Sequence, residues 1–191
     1  LVINFYNERR KQLLDVVPNA GHLGVADLER DFNVTVVTQN VDNLHERAGS
    51  THVIHLHGEL TKVCSSRDPY NPHFVKELAP EEYEVKLGDK AGDGTQLRPF
   101  IVWFGESVPE IETAIRYVEQ ADIFVIIGTS LNVYPAAGLL NYVPRAAEVY
   151  LIDPKPVDTH VMRPIHVIQK GASEGVKELK ALLTVTQPPL P

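Results

Sequence analysis

The chain has 191 residues, of which 43% are apolar, and this is enough for one domain with a small insertion and a hydrophobic core. Its formal net charge of −7 leaves no basic excess to neutralise phosphates, which argues against nucleic acid as the primary partner. The single cysteine, Cys64, excludes an intramolecular disulfide framework and fits a reducing compartment. Because the sequence has no run of about 18 apolar residues and no leader pattern, we expect a cytoplasmic protein without a membrane partner.

The first predicted element is a helix over residues 2–14, in which apolar positions alternate with charged ones. Tyr6 and Arg9 are three residues apart and therefore share one face of this helix. An arginine fork beside a phenolic hydroxyl is suited to binding a carboxylate. The alternative is a solvated basic surface, because Arg9-Arg10-Lys11 is a run of charges.

A β-branched run, Val34-Thr35-Val36-Val37, predicts a buried parallel strand over 34–38. The polar residues Gln39, Asn40 and Asp42 follow it directly. Polar side chains at the end of a buried strand usually lie in the crevice where parallel sheets bind ligands. Alternatively, Asn40 and Asp42 only cap a short helix over 43–48, although capping would not account for all three polar residues.

A second strand is predicted over 52–57, where alternation would place His55 and His57 on the same face. Gly58 has no side chain, which would let another group approach the His57 imidazole closely. Three interpretations remain open on these residues alone: a hydrogen-bonded structural histidine, a metal-binding His-x-His pair, and a catalytic base that works near neutral pH.

The rest of the chain reads as an inserted module followed by alternating strands and helices. Residues 61–97 are charged and rich in turn-forming residues, which predicts the small module. The other predicted elements are a helix over 20–31 with a structural His22 near its start, strand-like residues 98–106, a helix with apolar positions 111–118, strands 121–127, 149–152 and 165–168, a helix that opens at Pro135-Ala136, a helix over 174–183, and a frayed tail over 184–191.

Three strands end in polar or small residues: Gln39-Asn40, Gly128-Thr129-Ser130 and Asp153. Side chains from different strand ends that meet in one crevice form a ligand site in open parallel sheets. We therefore expect these three groups to converge.

Several ordered segments resemble the sirtuin family of NAD-dependent protein deacylases, and in particular its bacterial desuccinylase-like branch. The likeness runs from about residue 2 to residue 183. The matching segments are Thr38-Gln39-Asn40-Val41-Asp42-Asn43-Leu44-His45 through Gly49, His57-Gly58, Phe104-Gly105-Glu106, Gly128-Thr129-Ser130 and Val133-Tyr134-Pro135-Ala136-Ala137-Gly138.

The resemblance implies an α/β fold with a Rossmann-like parallel sheet flanked by helices, formed by residues 1–60 and 98–191. The small module, 61–97, is inserted into this domain, with the active site between the two. The implied reaction uses NAD to remove acetyl or succinyl groups from protein lysines, giving nicotinamide and O-acyl-ADP-ribose. Two alternatives are an NAD hydrolase on the same fold and a non-catalytic module that binds acyl-lysine peptides.

The resemblance also implies roles for individual residues. His57 would be the general base, and the Tyr6–Arg9 pair would hold the acidic end of an acyl group. Residues that would bind the nicotinamide ribose are Gln39, Asn40 and Asp42; those that would bind the adenosine half are Gly128, Thr129, Ser130, Asp153 and Ala172; and those that would bind the substrate peptide are Phe104, Gly105 and Glu106. Asp153 is a departure, because sirtuins commonly carry Asn there.

Two family features have no counterpart in this sequence. Most sirtuins hold zinc in the module with four cysteines, whereas Cys64 and His73 are the only soft ligands within residues 61–97, so we expect no zinc. Sirtuins also begin with a strand and a Gly-Ala-Gly-x-Ser loop that cradles the phosphates. We therefore expect a further segment ahead of Leu1, without which residues 1–191 lack part of the cofactor site.

Overall fold

The computed structural model describes residues 1–129, 136–156 and 163–185, which form two compact units. The bounds of the first unit are Leu1–Val17, Val37–Leu44 and His55–Glu110, and those of the second are Pro18–Val36, His45–Ile54 and Ile111–Pro191. The first unit includes the predicted module together with the residues around it. The module's own limits, 61–97, stay a prediction.

The first unit is a helix on an antiparallel sheet. Helix α1 spans Val2–Asp15, close to its predicted limits. The strands are β3 (Gly58–Ser65), β4 (Lys76–Glu77) and β5 (Leu97–Ile101), in the order β4-β3-β5, and both pairings are antiparallel. The core of this unit is formed by apolar side chains that include Leu56, Val63, Cys64 and Pro99, all less than 2% exposed.

Arg10 attaches helix α1 to this sheet. The residue is only 3% exposed, and its guanidinium donates hydrogen bonds to the backbone carbonyls of Leu60, at 2.8 Å, and Tyr83, at 3.0 Å. Burial lowers the pKa of Arg10 from its usual value. The basic run at 9–11 is therefore not a uniformly solvated surface, because its middle residue is part of the interior.

The second unit is a parallel α/β layer. Strands β6 (Ile123–Ile127), β7 (Glu148–Ile152) and β8 (His166–Ile168) lie side by side in that order, and both pairings are parallel. The helices are α2 (Ala20–Asp27), α4 (Ile111–Val118) and α5 (Ala172–Val185). Short 3₁₀ helices cover Leu28–Arg30 and Ala136–Tyr142, the second where a helix was predicted to open at Pro135-Ala136.

The core of the second unit lies between its sheet and helices α2 and α5. The buried side chains are Val25, Leu28, Tyr150, Ile152, Ile168, Val176, Leu179 and Leu183. Gly175 on α5 lets the helix approach strand β7, because a Cβ there would lie 2.2 Å from Cγ2 of Ile152. Alternating strands and helices around a parallel sheet confirm the predicted α/β class.

Three short elements each contain a boundary between the two units. They are β1 (Val36–Thr38), α3 (Leu44–Ala48) and β2 (Val53–His55). Both strands are shorter than predicted. Residues Leu56 and His57 form a turn, so strand alternation does not extend to His57, and that prediction was wrong. Val34 and Val36 are half-buried rather than fully buried as a central strand would be.

Two further findings concern the ends and the helices. Thr184 and Val185 still belong to α5, and the rest of the predicted tail lies outside the described residues. Within the described ranges, none of the helices is long and apolar enough to cross a membrane.

Candidate functional site

The loop after β1 is organised by its own side chains. The buried hydroxyl of Thr38 accepts a hydrogen bond from the backbone N–H of Asn40 at 3.0 Å. Oδ1 of Asp42 accepts one from the backbone N–H of Leu44 at 3.0 Å, where α3 begins. Asp42 therefore caps the start of this helix, as the alternative interpretation of the sequence proposed, and that bond uses only one of its two carboxylate oxygens.

Asn43 is a candidate ligand contact to which the sequence analysis gave no role. Its Oδ1 is buried and has no hydrogen-bond partner among the described residues. A buried carbonyl oxygen without a partner costs free energy, so it is favourable for a bound group to donate to it. The only sequence signal was its position inside the 38–49 motif, next to Asp42.

The imidazole of His57 is oriented by the same loop. Its Nδ1 lies 3.1 Å from the backbone carbonyl oxygen of Gln39. A carbonyl oxygen can only accept, so Nδ1 carries the hydrogen and Nε2 of the neutral ring holds a lone pair. A lone pair on a histidine nitrogen, with the other nitrogen anchored, is the arrangement that a general base requires.

Gly58 is needed for a different reason from the one that the sequence suggested. Its φ is +84°, and a Cβ at this position would lie 2.1 Å from the backbone oxygen of Phe100. The close neighbour is thus strand β5, on which Gly58 pairs with Ile101, rather than a group that approaches the imidazole.

His55 resembles His57 in one contact. Its Nδ1 lies 3.3 Å from the backbone oxygen of Asn40, and its ring is partly exposed. The two histidines of the His-x-His pair therefore contact consecutive carbonyl groups of one loop. This similarity makes His55 a matched control for His57.

In the second unit, the predicted adenosine-binding residues lie at the carboxyl ends of parallel strands. The backbone N–H of Gly128, just after β6, donates to the oxygen of Ile152 at 2.9 Å, and Asp153 follows β7 directly. Oδ1 of Asp153 accepts from the backbone N–H of Lys155 at 2.8 Å. Ala172 is the first residue of α5, the helix that follows β8.

Gly128 is exposed at the end of strand β6. Its φ is +62°, and no described atom lies within 4 Å of the place where a Cβ would sit. The carboxyl end of a parallel strand is where such folds receive a ligand, and binding of the adenosine half of NAD at this strand end stays a prediction. Ser130 and residues 133–135 of the motif lie outside the described residues, and convergence with the 39–42 loop stays a prediction.

The helical spacing of Tyr6 and Arg9 is confirmed, because both lie within α1. The Tyr6 hydroxyl oxygen accepts a hydrogen bond from Nε1 of Trp103 at 3.0 Å. Arg9 is exposed, with its guanidinium 5.2 Å from the ring centre of Phe5 and its Nη1 donating to Gln12 at 3.2 Å. In the described part of the chain, no carboxylate forms an ion pair with Arg9, so its charge is available to a ligand.

Residues 104–106 do not continue strand β5, which ends at Ile101. Phe104 is fully exposed, Gly105 has a φ of +88°, and Trp103 is half-buried. The Glu106 carboxylate accepts from both Nη atoms of Arg98, at 2.7 and 3.0 Å, and these bonds lower the pKa of Glu106. Glu106 therefore holds this turn in place.

The residues of the predicted module are held by a polar network. The hydroxyl of Ser65, which is fully buried, donates to Asp93 at 2.6 Å, and Asp93 accepts from the hydroxyl and the backbone N–H of Thr95. These hydrogen bonds lower the pKa of Asp93 to about 2. Burial raises the pKa of the Cys64 thiol to about 11, so it is neutral and unreactive at physiological pH. The absence of zinc stays a prediction.

Parallel strands packed against helices define an α/β, Rossmann-like protein. The Sir2 family pattern matches residues 2–135. A relative from Bacteroides thetaiotaomicron, named NAD-dependent protein deacylase, is 84% identical over 183 residues, which cover 96% of this chain and 78% of that protein. A relative of the same name from Helicobacter pylori is 47% identical over 178 residues, which cover 93% and 75%.

Solved structures agree with this assignment. A Sir2 homologue in complex with NAD has a TM-score of 0.80 and 35% identity, covering 96% of this chain and 71% of that one. A Sir2 complex with p53 peptide and NAD⁺ has a TM-score of 0.74 and 26% identity, covering 92% and 74%. The chain belongs to the Sir2 family.

Proposed function

We propose that this protein removes acyl groups from the lysines of protein substrates in a reaction that consumes NAD. Its membership of the Sir2 family supports this, as do relatives that carry the name NAD-dependent protein deacylase. The observation on this chain that carries the proposal is His57, whose Nδ1 is anchored on the Gln39 carbonyl so that Nε2 is left as the basic nitrogen. Neither an NAD hydrolase nor a non-catalytic peptide-binding module is favoured by these relatives.

Each unit, taken by itself, carries groups suited to holding a part of NAD. Gln39, Asn40 and Asp42 would hold the nicotinamide ribose, and the buried Oδ1 of Asn43 offers an additional acceptor for a donor group of the cofactor. The adenosine half would be held by Gly128, Thr129, Ser130, Asp153 and Ala172. When bound, NAD supplies the ribose carbon that loses nicotinamide and receives the acyl oxygen.

His57 would act on the proton of a ribose hydroxyl. The bond from Nδ1 to the Gln39 carbonyl fixes the ring and stabilises the positive charge that forms when Nε2 takes a proton. Near neutral pH a histidine can accept this proton and return it within one turnover.

Tyr6 and Arg9 support an acidic acyl group, such as succinyl, as the preferred substrate. A phenolic hydroxyl and an arginine whose charge is not paired with a carboxylate of the described residues are suited to binding one carboxylate together. The net charge of −7 argues against a nucleic acid as the partner, and the lone cysteine supports a cytoplasmic location.

Nicotinamide release tests the proposal and separates it from its two alternatives. The full-length protein is incubated with NAD, with and without an acetyl- or succinyl-lysine peptide. We expect release that depends on the peptide and matches peptide deacylation. Release that is independent of the peptide would indicate a hydrolase, and peptide binding without any release would indicate a binding module.

Two histidine variants locate the base. We expect His57→Ala to lower kcat by about 10²–10⁴-fold, as for loss of a general base. His55→Ala removes the neighbouring imidazole, which has a similar carbonyl contact, and should cost less than about tenfold, since it leaves the base in place. If both variants lose the same activity, the assignment of His57 is wrong.

A further inference from the structure

Trp103 donates a hydrogen bond to Tyr6, a residue 97 positions earlier in the chain. The distance from Nε1 of Trp103 to the Tyr6 hydroxyl oxygen is 3.0 Å, and the two rings are stacked with centroids 6.5 Å apart. An indole N–H can only donate, so the Tyr6 oxygen accepts and its own hydrogen must be directed elsewhere. The direction of the Tyr6 O–H is therefore restricted by Trp103.

The indole of Trp103 is itself held on two sides. The guanidinium of Arg98, only 8% exposed, lies 3.6 Å from the centre of the indole ring. The backbone N–H of Trp103 donates a hydrogen bond to the Glu106 carboxylate at 2.9 Å. The same carboxylate also accepts hydrogen bonds from both Nη atoms of Arg98. A buried cation on the ring face and a backbone hydrogen bond to a carboxylate leave the indole little freedom to turn.

The Tyr6 hydroxyl can still donate a hydrogen bond. Among the residues that the structure describes, no group accepts from this hydroxyl, which itself accepts the bond from Trp103. A hydroxyl that accepts one hydrogen bond donates a stronger one, because each bond polarises the next. Its best partner is an anionic oxygen, which forms short, charge-assisted bonds with hydroxyl groups.

Arg9, on the same face of α1, is held much less firmly. It is exposed, and its guanidinium contacts the Phe5 ring and Gln12, both on its own helix. An exposed contact of this kind is weak, and the guanidinium can leave it to meet a ligand. Tyr6 is thus a fixed donor, and Arg9 is a movable charge beside it.

We propose that Trp103 is a specificity-determining positioning residue, which aims the Tyr6 hydroxyl at the carboxylate of an acidic acyl-lysine. This rests on the proposed deacylase function and extends it to the choice of acyl group. Arg98 and Glu106 serve the same end indirectly, since they hold Trp103. The carboxylate itself is bound by Tyr6 and Arg9.

Trp103→Phe tests the proposal, because it removes the indole N–H and keeps an aromatic ring for Arg98 to cover. We expect KM for a succinyl-lysine peptide to rise about 3- to 10-fold, as for one lost hydrogen bond. KM for the acetyl-lysine peptide should rise less, and kcat should change similarly for both. Equal increases in KM for the two peptides would mean that Trp103 only supports the fold.

Tyr6→Phe breaks the same bond from its other end and also removes the donor to the ligand. We expect a larger loss of succinyl selectivity, about 10- to 100-fold. When Trp103→Phe is added to Tyr6→Phe, selectivity should fall no further, because Trp103 acts through a hydroxyl that is already absent. Independent, multiplicative losses in the double variant would overturn the positioning role.

Fluorescence provides a readout without turnover, since Trp103 is the only tryptophan among residues 1–191 and lies beside Tyr6. Titration of the full-length protein with succinyl-lysine peptide should change its emission more, and at lower concentration, than titration with acetyl-lysine peptide. Tyr6→Phe should remove this difference. If neither peptide binds, the deacylase function falls and the positioning role with it; if both bind equally well, only the positioning role is overturned.

Discussion

The Arg98–Glu106 pair makes a prediction about stability whose size follows from its burial. Glu106→Ala removes the carboxylate that accepts from both Nη atoms of Arg98 and from the backbone N–H of Trp103. Arg98 is only 8% exposed, so its charge would be left with the Ile101 carbonyl and the Trp103 ring. Removing one member of a buried pair costs about 3–5 kcal/mol. Because the Glu106 side chain is 29% exposed, we expect the lower end, about 3 kcal/mol.

Thermal unfolding measures this loss. For a chain of this length, each kcal/mol lowers Tm by about 2–4 °C, so we expect a decrease of roughly 6–12 °C. The control is Glu82→Ala, which breaks an exposed ion pair with Lys76 in the same unit, where the side chains are 59% and 63% exposed. Such a pair contributes less than about 1 kcal/mol, or up to about 4 °C. Equal shifts in the two variants would refute the argument from burial.

The same pair predicts how the difference changes with pH. Hydrogen bonds from Arg98 lower the pKa of Glu106 from its usual 4.5. A carboxyl group whose pKa is lowered by folding stabilises the folded state at pH above its pKa in the unfolded chain. This stabilisation is lost as pH falls through its pKa in the folded state. The difference in Tm between the native protein and Glu106→Ala should therefore be largest near neutral pH and become smaller below about 4.5. A constant difference down to strongly acid pH would contradict this.

Three further predictions concern the acyl group, the polar network and metal. Arg9→Met should raise KM for a succinyl-lysine peptide by roughly 30-fold or more, and far more than KM for an acetyl-lysine peptide. The control is Lys11→Met, which removes a neighbouring exposed cation and should change KM for the two peptides equally. Equal changes in KM for the two peptides in Arg9→Met would make Arg9 a solvated surface residue. Asp93→Asn should lower Tm at pH 7, and the difference should vanish as pH falls from the usual carboxyl value towards the lowered pKa of about 2, as melting curves across that range would show. Elemental analysis after dialysis against a chelator should find no stoichiometric zinc, because Cys64 is the only thiol, and about one zinc per chain would overturn this.

The sequence predicted the class of fold and most of its elements. Helix α1 and strands β6 and β7 lie within a few residues of their predicted limits, because apolar periodicity and β-branched runs are local signals. The positions of Gly128 and Asp153 at the ends of adjacent parallel strands were predicted for the same reason, since each follows directly on an apolar run.

Other features depended on contacts between residues that are distant in the sequence. The run of charged residues at 9–11 does not indicate that Arg10 is buried. The backbone carbonyls that accept its hydrogen bonds belong to Leu60 and Tyr83, which are 50 and 73 positions away in the sequence. Position 58 requires glycine because a Cβ there would clash with strand β5, which lies about 40 positions later in the sequence.

The orientation of the site residues was likewise decided by tertiary structure. A histidine in a motif has two ring nitrogens, and only the distance from His57 Nδ1 to the Gln39 carbonyl establishes which one is left as a base. The spacing of Tyr6 and Arg9 places them on one helix face, but the partner that aims the Tyr6 hydroxyl is Trp103, 97 residues away. Residue types and local periodicity are written in the sequence, whereas the direction of a hydrogen bond depends on a partner that folding brings within about 3 Å.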